Sequence, residues 1–416
     1  MAHGEEPGPL HAERAFGDLG TNASGMRARN ERLVLSVVRH HGALSKAEIA
    51  RTTGLSAQTV SVIMRSLEAD GFLARGEKVR GKVGQPSVPM RLAPDGAFFL
   101  GLKVGRRSAE LLLVDFLGEI RARAYDHYDY PTPKSTMDFV RRSISKLTET
   151  LPKKHQDRIG GLGIAAPFFL WEWADAIGVD DNSMDAWRSF DLREEVQALV
   201  PFPVYLANDA TSACNAELVF GSPDKPSDFL YFYMGYFIGG GVVLGGNLLT
   251  GPNGNAGAIG PMPTGGMHGP ARQLVNVASL AGLEKRFYGA GGTPEEMWGT
   301  PGQWSAPEEM VNEWLDEAGR AIAHAVLSAI SIIDVSSVYI DGSMPVDTRS
   351  ALVAAVDKHL NQMNLSGLCP PLISEGSIGP DARSLGAASQ PLSKRLILSP
   401  TKSTLFYFVS ILDYSS

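Results

Sequence analysis

LSKAEIARTTGLSAQTVSVIMRSLEADG, residues Leu44 to Gly71, holds two helix starts and two helix stops at the spacing of a helix-turn-helix. Ser45 is placed to cap a helix in which Glu48, three residues on, reaches back to the cap's own amide, and Leu44 can pack on Ile49. Helix two therefore begins at Lys46. Gly54 supplies the left-handed residue on which that helix ends, and Ser56 repeats the start signal with Leu55 able to pack on Val60. Helix three then runs from Ala57 to Asp70. Val60, Ile63, Met64 and Leu67 recur in it at three- and four-residue intervals as a buried stripe, which turns Ala57, Gln58, Ser61, Val62 and Arg65 outwards.

An exposed helix start made of small, hydroxyl and amide side chains suits a DNA major groove. A Gln pairs bidentately with an adenine edge, small residues allow close approach, and hydroxyls near a helix N-terminus hold phosphate. The candidate DNA-binding residues here are Lys46, Ser56, Ala57, Gln58, Thr59, Ser61 and Arg65. A preceding helix, Arg29 to His40, offers Leu33, Val34, Val37 and Val38 and completes a three-helix core. After Gly71 the stretch FLARGEKVRGKVGQPSVPMRLAP reads as a wing, two short apolar segments around a basic tip with Arg80, Lys82 and Gln85. Between Met26 and Asp95 there are 12 Lys and Arg against 6 Asp and Glu, a net of +6, whereas the whole chain carries −7. Positive charge is gathered where phosphates would be met. Many helical hairpins have caps and a solvated basic face, but two capped helices, a wing and a local charge reversal together favour double-stranded DNA as the partner.

At 416 residues, 44% apolar and 20% charged, the chain reads as two or three globular domains. No apolar run reaches membrane-spanning length, so no membrane partner is expected. Residues 1–25 have no apolar signal region and read as a disordered leader, so the protein is expected in the cytoplasm. Cys214 and Cys369 lie far apart in no metal or disulfide spacing and are expected to be reduced, packed side chains. The nine histidines are scattered, and the His40-His41 pair suits the end of a helix better than a ligand set. Neither a metal nor a cofactor is expected.

From Ala97 the pattern turns to strands: AFFLGLKVG, SAELLLVDF and EIRARAYDHY, then a helix near Met137 to Leu151 and a strand, IGGLGIAAP. An irregular loop from Trp171 to Trp187 follows, and PVYLANDATSACNAELVFG reads as strand, turn and helix. A second set opens with DFLYFYMGYFIGGGVVLGGNLLTG, continues in a long helix from Pro307 to Asp334 and closes on the strand SSVYIDGSM. This repeated α/β unit predicts two lobes, residues 96–225 and 226–390, behind a winged helix-turn-helix at 26–95. A C-terminal segment, 391–416, is apolar enough to pack back on the first lobe.

The strand and helix order resembles the sugar kinase, heat-shock and actin superfamily, with its ribonuclease-H-like core. More closely, from about Asn30 to Ala388, the chain resembles the ROK family of repressors, open reading frames and kinases. The DNA-binding head, Asn208-Asp209 after a strand, the IGGG turn and IGPDARSLGAA at Ile378 to Ala388 carry the resemblance. Members with such a head resemble sugar-responsive repressors, and members without it are sugar kinases. The resemblance implies that Asp209 stands where the kinase base stands and that Asn208 and Asp209 grip sugar hydroxyls. By itself, Asn-Asp after a strand is also a common helix cap.

The resemblance breaks at the phosphate loops. The kinase pattern Asp-x-Gly-Gly-Thr is here Lys103-Val104-Gly105-Arg106-Arg107, which exchanges the metal-side carboxylate for a lysine. In the second loop, Tyr236 and Phe237 stand where bare backbone should meet phosphate. The family's Ala-Gly-Glu-Ile-Gly-His becomes Ala256-Gly257-Ala258-Ile259-Gly260-Pro261, so the sugar-contacting Glu and His are lost, and no cysteine follows to hold a zinc. New effector contacts are expected from Asn182, Asn208, Asp209, Asn255 and His268. Phe168, Phe169, Trp171 and Trp173 can stack on a sugar ring or simply pack.

The expected function is a non-enzymatic transcriptional regulator, a repressor of carbohydrate-related genes. Its kinase-like part would bind a small carbohydrate-like effector and form a homodimer or higher homo-oligomer on a palindromic operator. Two alternatives stand beside it: a sugar kinase with an added head, using Asp209 as base, and an effector-independent DNA-binding protein in which the kinase fold is only a scaffold.

Overall fold

The computed structural model describes residues 23–77, 88–174, 178–264, 272–298 and 303–398. The head is α1 (Ala23–His41), β1 (Ala43–Leu44), α2 (Lys46–Thr53), α3 (Ala57–Ala69), β2 (Leu73–Arg75) and β3 (Met90–Leu92), its strands paired in the order β1-β3-β2. The caps act as their residue types require. Ser45 Oγ accepts from the Glu48 amide at 3.3 Å while Glu48 Oε2 accepts from the Ser45 amide at 2.7 Å. Gly54 closes α2 at φ 69, a conformation only glycine enters at no steric cost. Val60, Ile63, Met64 and Leu67 are the buried face of α3.

On α1 the apolar stripe is wider than the sequence indicates. Val34, Leu35, Val37 and Val38 are all buried, while Leu33 is only half-buried. Leu35 lies off the expected face, and Arg32, Ser36 and Arg39 on this helix bond to residues beyond the head. Non-local docking has thus covered more of α1 than a single amphipathic stripe accounts for.

The sheet that follows contains β4 (Phe98–Val104), β5 (Ser108–Asp115), β6 (Ile120–His127), β7 (Ile159–Ala165) and β8 (Val204–Ala207) in the order β6-β5-β4-β7-β8. The three hairpin strands are antiparallel, and β7 and β8 add in parallel. Central strands β4 and β7 are buried throughout, whereas edge strand β6 alternates half-buried and exposed residues, as a strand with one wet face does. Helix α4 (Pro133–Thr148) starts on a Thr132–Ser135 capping box with Pro133 at its first position. Short helices α5 (Lys153–Gln156) and α6 (Leu192–Gln197) precede β7 and β8.

The second sheet repeats the first. Strands β9 (Phe229–Met234), β10 (Ile238–Leu244), β11 (Asn247–Leu249), β14 (Ser337–Gly342) and β15 (Leu372–Glu375) take the order β11-β10-β9-β14-β15, antiparallel among the first three and parallel thereafter. Around it lie α7 (Asp209–Phe220), the small ribbon β12 (Pro263–Thr264) with β13 (Arg272–Gln273), and α8 (Leu274–Ala278), α9 (Leu280–Gly289) and α10 (Pro294–Trp298). Helix α11 (Glu308–Ile330) buries Trp314, Ile322 and Val326, and α12 (Val346–Asn361) packs beside it. The matching strand orders are the duplicated α/β unit expected from the sequence.

Two compact units emerge, Met1–Ala207 with Ala387–Ser416, and Asn208–Gly386. The sequence reading divided the lobes at 225/226 instead. The difference is α7, read with the first lobe but packed on β9 and β10 of the second unit. Helix α13 (Ala382–Arg395) begins in the second unit and ends in the first, where Leu392, Leu396 and Ile397 are buried and Gln390 Nε2 donates to the Ile164 carbonyl at 3.0 Å. The tail from 399 lies outside the described residues. Cys214 is buried as expected, and burial pushes its thiol pKa up, but Cys369 is exposed, because it sits in the loop between α12 and β15. No helix among the described residues is long and apolar enough to cross a membrane.

Candidate DNA-binding face and effector pocket

Ser56, Ala57, Gln58 and Arg65 are exposed along α3, Thr59 and Ser61 are half-buried, and Lys46 is exposed in the first turn of α2. Val62, 46% exposed, sits among them as an apolar group able to meet a thymine methyl. Gln58 itself is exposed in the first turn of α3. Ser56 and Thr59 are more constrained, since Ser56 Oγ caps the Thr59 amide at 3.1 Å and lies 2.9 Å from Thr59 Oγ1. Arg65 folds back on its own helix, Nε donating to the Ser61 carbonyl at 3.2 Å, and must swing out to reach a phosphate. The wing residues Arg80, Lys82 and Gln85 lie outside the described residues. Arg75, at the base of the wing, went unremarked in the sequence; it is exposed and paired with Glu68 at 2.6 Å.

In the first unit, the carboxyl ends of β7 and β8 open on a cavity of about 380 Å³. Open α/β sheets place ligands at such strand ends. Phe168, Trp171, Trp187 and Phe190 supply its aromatic walls. Arg188 lies 5.6 Å from the Trp171 ring and donates from Nε to Asp185 Oδ1 at 3.0 Å, while Asp191 Oδ1 caps the Glu194 amide. Phe168 and Trp171 were expected here; Trp187 and Phe190 were not. Trp187 is buried, with Nε1 donating to the Pro131 carbonyl at 2.9 Å, so its role in the wall is fixed by packing. Asn182 is exposed and does not line this cavity.

In the second unit, Asn208 caps α7, its Oδ1 accepting from the amides of Ala210 and Thr211 at 3.0 and 3.4 Å. Asp209 pairs with Arg383, NH1 to Oδ2 at 3.3 Å, and the guanidinium lies 5.1 Å from the Tyr233 ring. Arg383 sits inside the IGPDARSLGAA motif yet was missed. Its signal was an arginine in a run of small residues. Asn255 and Ala258 are exposed on the loop after β11, as is Pro261, and His268 lies outside the described residues.

The two stretches expected from the sequence to stand at phosphate loops bond to the protein's own groups. Lys103 is 5% exposed, with Nζ donating to Ser108 Oγ at 3.2 Å, and the Gly105 amide donates to the Ser108 carbonyl at 2.9 Å. In the turn between β9 and β10, the Ile238 amide donates to Ser279 Oγ at 2.9 Å. The carbonyls of Gly235 and Tyr236 accept from the amides of Leu280 and Ala281. The rings of Tyr236 and Phe237 pack edge to face with centroids 4.8 Å apart. Among the described residues no group of three or more His, Cys, Asp or Glu side chains could hold a metal ion.

A ROK family model matches residues 99–391, and a MarR family model matches residues 25–82. An uncharacterized protein of Sinorhizobium fredii is 25% identical over 376 residues, 87% of this chain and 90% of its own length. A xylose repressor of Caldicellulosiruptor bescii is 26% identical over 244 residues, 58% of this chain and 59% of its own, so the match spans about three-fifths of that repressor. The crystal structure of a ROK family transcriptional regulator, described as a homolog of the E. coli MLC protein, superposes with TM-score 0.63 at 18% identity, covering 92% of this chain and 99% of that one. Sugar kinases are also among the similar proteins.

Proposed function

The chain belongs to the ROK family, and from that premise we propose that it is a DNA-binding repressor of carbohydrate-related genes whose kinase-type fold senses a small carbohydrate-like molecule and no longer transfers phosphate. One observation carries the reading: an exposed recognition helix capped by Ser56 is joined to a kinase-type fold whose expected phosphate-loop stretches are filled by internal hydrogen bonds. Phosphoryl transfer depends on backbone amides and a metal carboxylate held ready for the nucleotide. Here the Ile238 amide is already satisfied and the carboxylate position is Lys103.

On the DNA side, Gln58 reads bases, and Lys46, Ser56, Ala57, Thr59, Ser61 and Arg65 line or position the contact, with Arg80, Lys82 and Gln85 reaching the flanking backbone. A dimer on a palindromic operator follows from the two-fold symmetry common among homo-oligomers. On the effector side, the aromatic cavity of the first unit and the Asn208–Asp209 corner of the second are two places among the described residues with suitable chemistry; Asn182, Asn255 and His268 remain candidate contacts. Xylose repressors among the relatives make pentoses the first compounds to try.

The test is a fluorescence-anisotropy titration against the protein's own upstream DNA and a scrambled duplex, repeated with sugars, polyols and sugar phosphates. Selective binding altered by one compound supports the proposal. A sugar kinase with an added head is the second reading, favoured by the retained Asp209, and ATP-dependent phosphorylation of any sugar in that panel would establish it. Selective DNA binding that no compound alters would leave the effector-independent scaffold.

A further inference from the structure

The head is joined to the first sheet with no slack. Strand β3 ends at Leu92, a single 3-10 turn spans Pro94–Gly96, and β4 begins at Phe98. Within that connection the Ala93 amide donates to the Phe72 carbonyl at 2.9 Å, the Phe116 amide donates to the Pro94 carbonyl at 3.1 Å, and the Phe72 and Phe116 rings meet edge to face. A flexible tether needs solvated, uncommitted backbone, which this turn does not have.

Three arginines then bridge the junction, each gripping main-chain carbonyls across it. Arg32 of α1 donates to the carbonyls of Ser393 and Ile397 at the end of α13, at 3.2 and 2.7 Å. Arg39 donates to the carbonyls of Phe116 and Leu117 in the turn between β5 and β6, at 2.8 and 3.2 Å. Arg158, 2% exposed and just ahead of β7, donates to the Gly96 carbonyl and, at 2.7 Å, to the carbonyl of Asp70, the residue that caps α3. The Leu398 amide adds a bond to Ser36 Oγ at 2.7 Å. A guanidinium is a planar fork that can hold two acceptors in fixed directions, and main-chain carbonyls cannot swing away as side chains do. Burial lowers the pKa of Arg39 to about 10, which still leaves its guanidinium charged at neutral pH.

We propose that Arg32, Arg39 and Arg158 are positioning residues that make the winged head and the first lobe one rigid reader, so that α3 is aimed at DNA by the lobe and the reader accepts a single half-site spacing. Arg158 sets the aim, because it ties the end of the recognition helix to the start of β7. The inference rests on the repressor reading only in its DNA arm, and its fluorescence arm stands without that reading.

The test uses the full chain with Cys369→Ser and Arg29→Cys, a dye being attached at the exposed α1 position. Time-resolved anisotropy should show one slow decay, the tumbling of the whole protein. Arg39→Met with Arg158→Met should add a fast decay from a loosened head, and Arg158→Lys, which keeps charge but loses the fork, should add a smaller one. A fast head component in the unsubstituted arginine background overturns the proposal, and a double variant that still shows the slow decay alone, with no fast head component, overturns the choice of residues. Should the double variant not fold, the intact protein decides through a duplex selected from a random pool. Five base pairs inserted at its centre, half a helical turn, should weaken binding at least tenfold, and a loss under threefold overturns the single-spacing claim. A protein that selects no duplex refutes the repressor reading and leaves the decay measurement to judge the rigid junction.

Discussion

Replacing Gly163 by alanine should damage the first unit far more than one added methyl suggests. A Cβ built there would stand 1.8 Å from the Ala387 carbonyl oxygen and 2.7 Å from its carbon, both main-chain atoms of α13. Real Cβ atoms essentially never come within 3.0 Å of another heavy atom, so at least 1.2 Å must be found by moving β7 or α13. Overpacking typically costs about 1–3 kcal/mol, and a helix backbone yields less readily than a side chain, which puts this case near ~3 kcal/mol. For a unit of this size about 2–4 °C of melting temperature goes with each kcal/mol, so the expected fall is roughly 6–12 °C. Gly178→Ala is the control. Gly178 has φ 72 and nothing within 4 Å of a built Cβ, so its cost is only the left-handed backbone, about 1–2 kcal/mol. Thermal unfolding by circular dichroism would compare them. If Gly163→Ala melts no lower than Gly178→Ala, the close approach of α13 to β7 is wrong. Because Arg32 grips the end of α13, Gly163→Ala should also weaken DNA binding at a temperature where the protein is still folded.

Further outcomes concern the head and the Asp209 corner. Gln58→Ala should change base preference in a binding-site selection while leaving the salt slope alone, whereas Arg80→Ala and Lys82→Ala should weaken binding to every sequence and each lower the slope by about one unit. Glu48 is held below the ordinary carboxylate pKa by its hydrogen bonds with Ser45, so the capping box stabilises above the unfolded pKa of about 4.3 and fades as pH falls through the folded value. The melting difference between the natural protein and Glu48→Ala should therefore be full at pH 7 and shrink below pH ~4.5; a difference that grows on acidification contradicts this sign. Asp209→Asn and Arg383→Met should each cost about 1–3 kcal/mol by leaving a partner unmatched, and the double substitution less than their sum. Additive losses in denaturant titrations would show that the 3.3 Å pair does no stabilising work.

Local signals were readable and non-local ones were not. Ser45, Glu48, Gly54 and Ser56 act within one helical turn, so their spacing specifies α2 and α3 without help from the rest of the chain. The twin sheets were likewise legible, because hairpins and buried parallel strands leave distinct hydrophobic patterns. Arg32, Arg39 and Arg158 gave no such sign; surface arginines and clamping arginines look alike until the fold brings carbonyls to them. Leu35 was missed for the same reason, its burial depending on what covers a second side of α1. At the candidate site, the loss of kinase-type residues could be seen at Lys103, Tyr236, Phe237, Ala258 and Pro261. What replaced them could not: Ser279, which satisfies the Ile238 amide, is forty-one residues away, and Arg383 reaches Asp209 across 174.

The short turn at Pro94–Gly96 bears on how such regulators can diversify. Where a recognition module hangs on a loose linker, it can be exchanged for another without regard to the body behind it. Here a grafted head would arrive without carbonyls matched to Arg158, and the body would lack acceptors placed for the newcomer's own arginines. A chimera made by cutting at this turn should fold in two halves that fail to align, whereas transplanting only the exposed side chains of α3 should move specificity intact. New operators are then reached by changing residues along one helix, with the frame inherited whole.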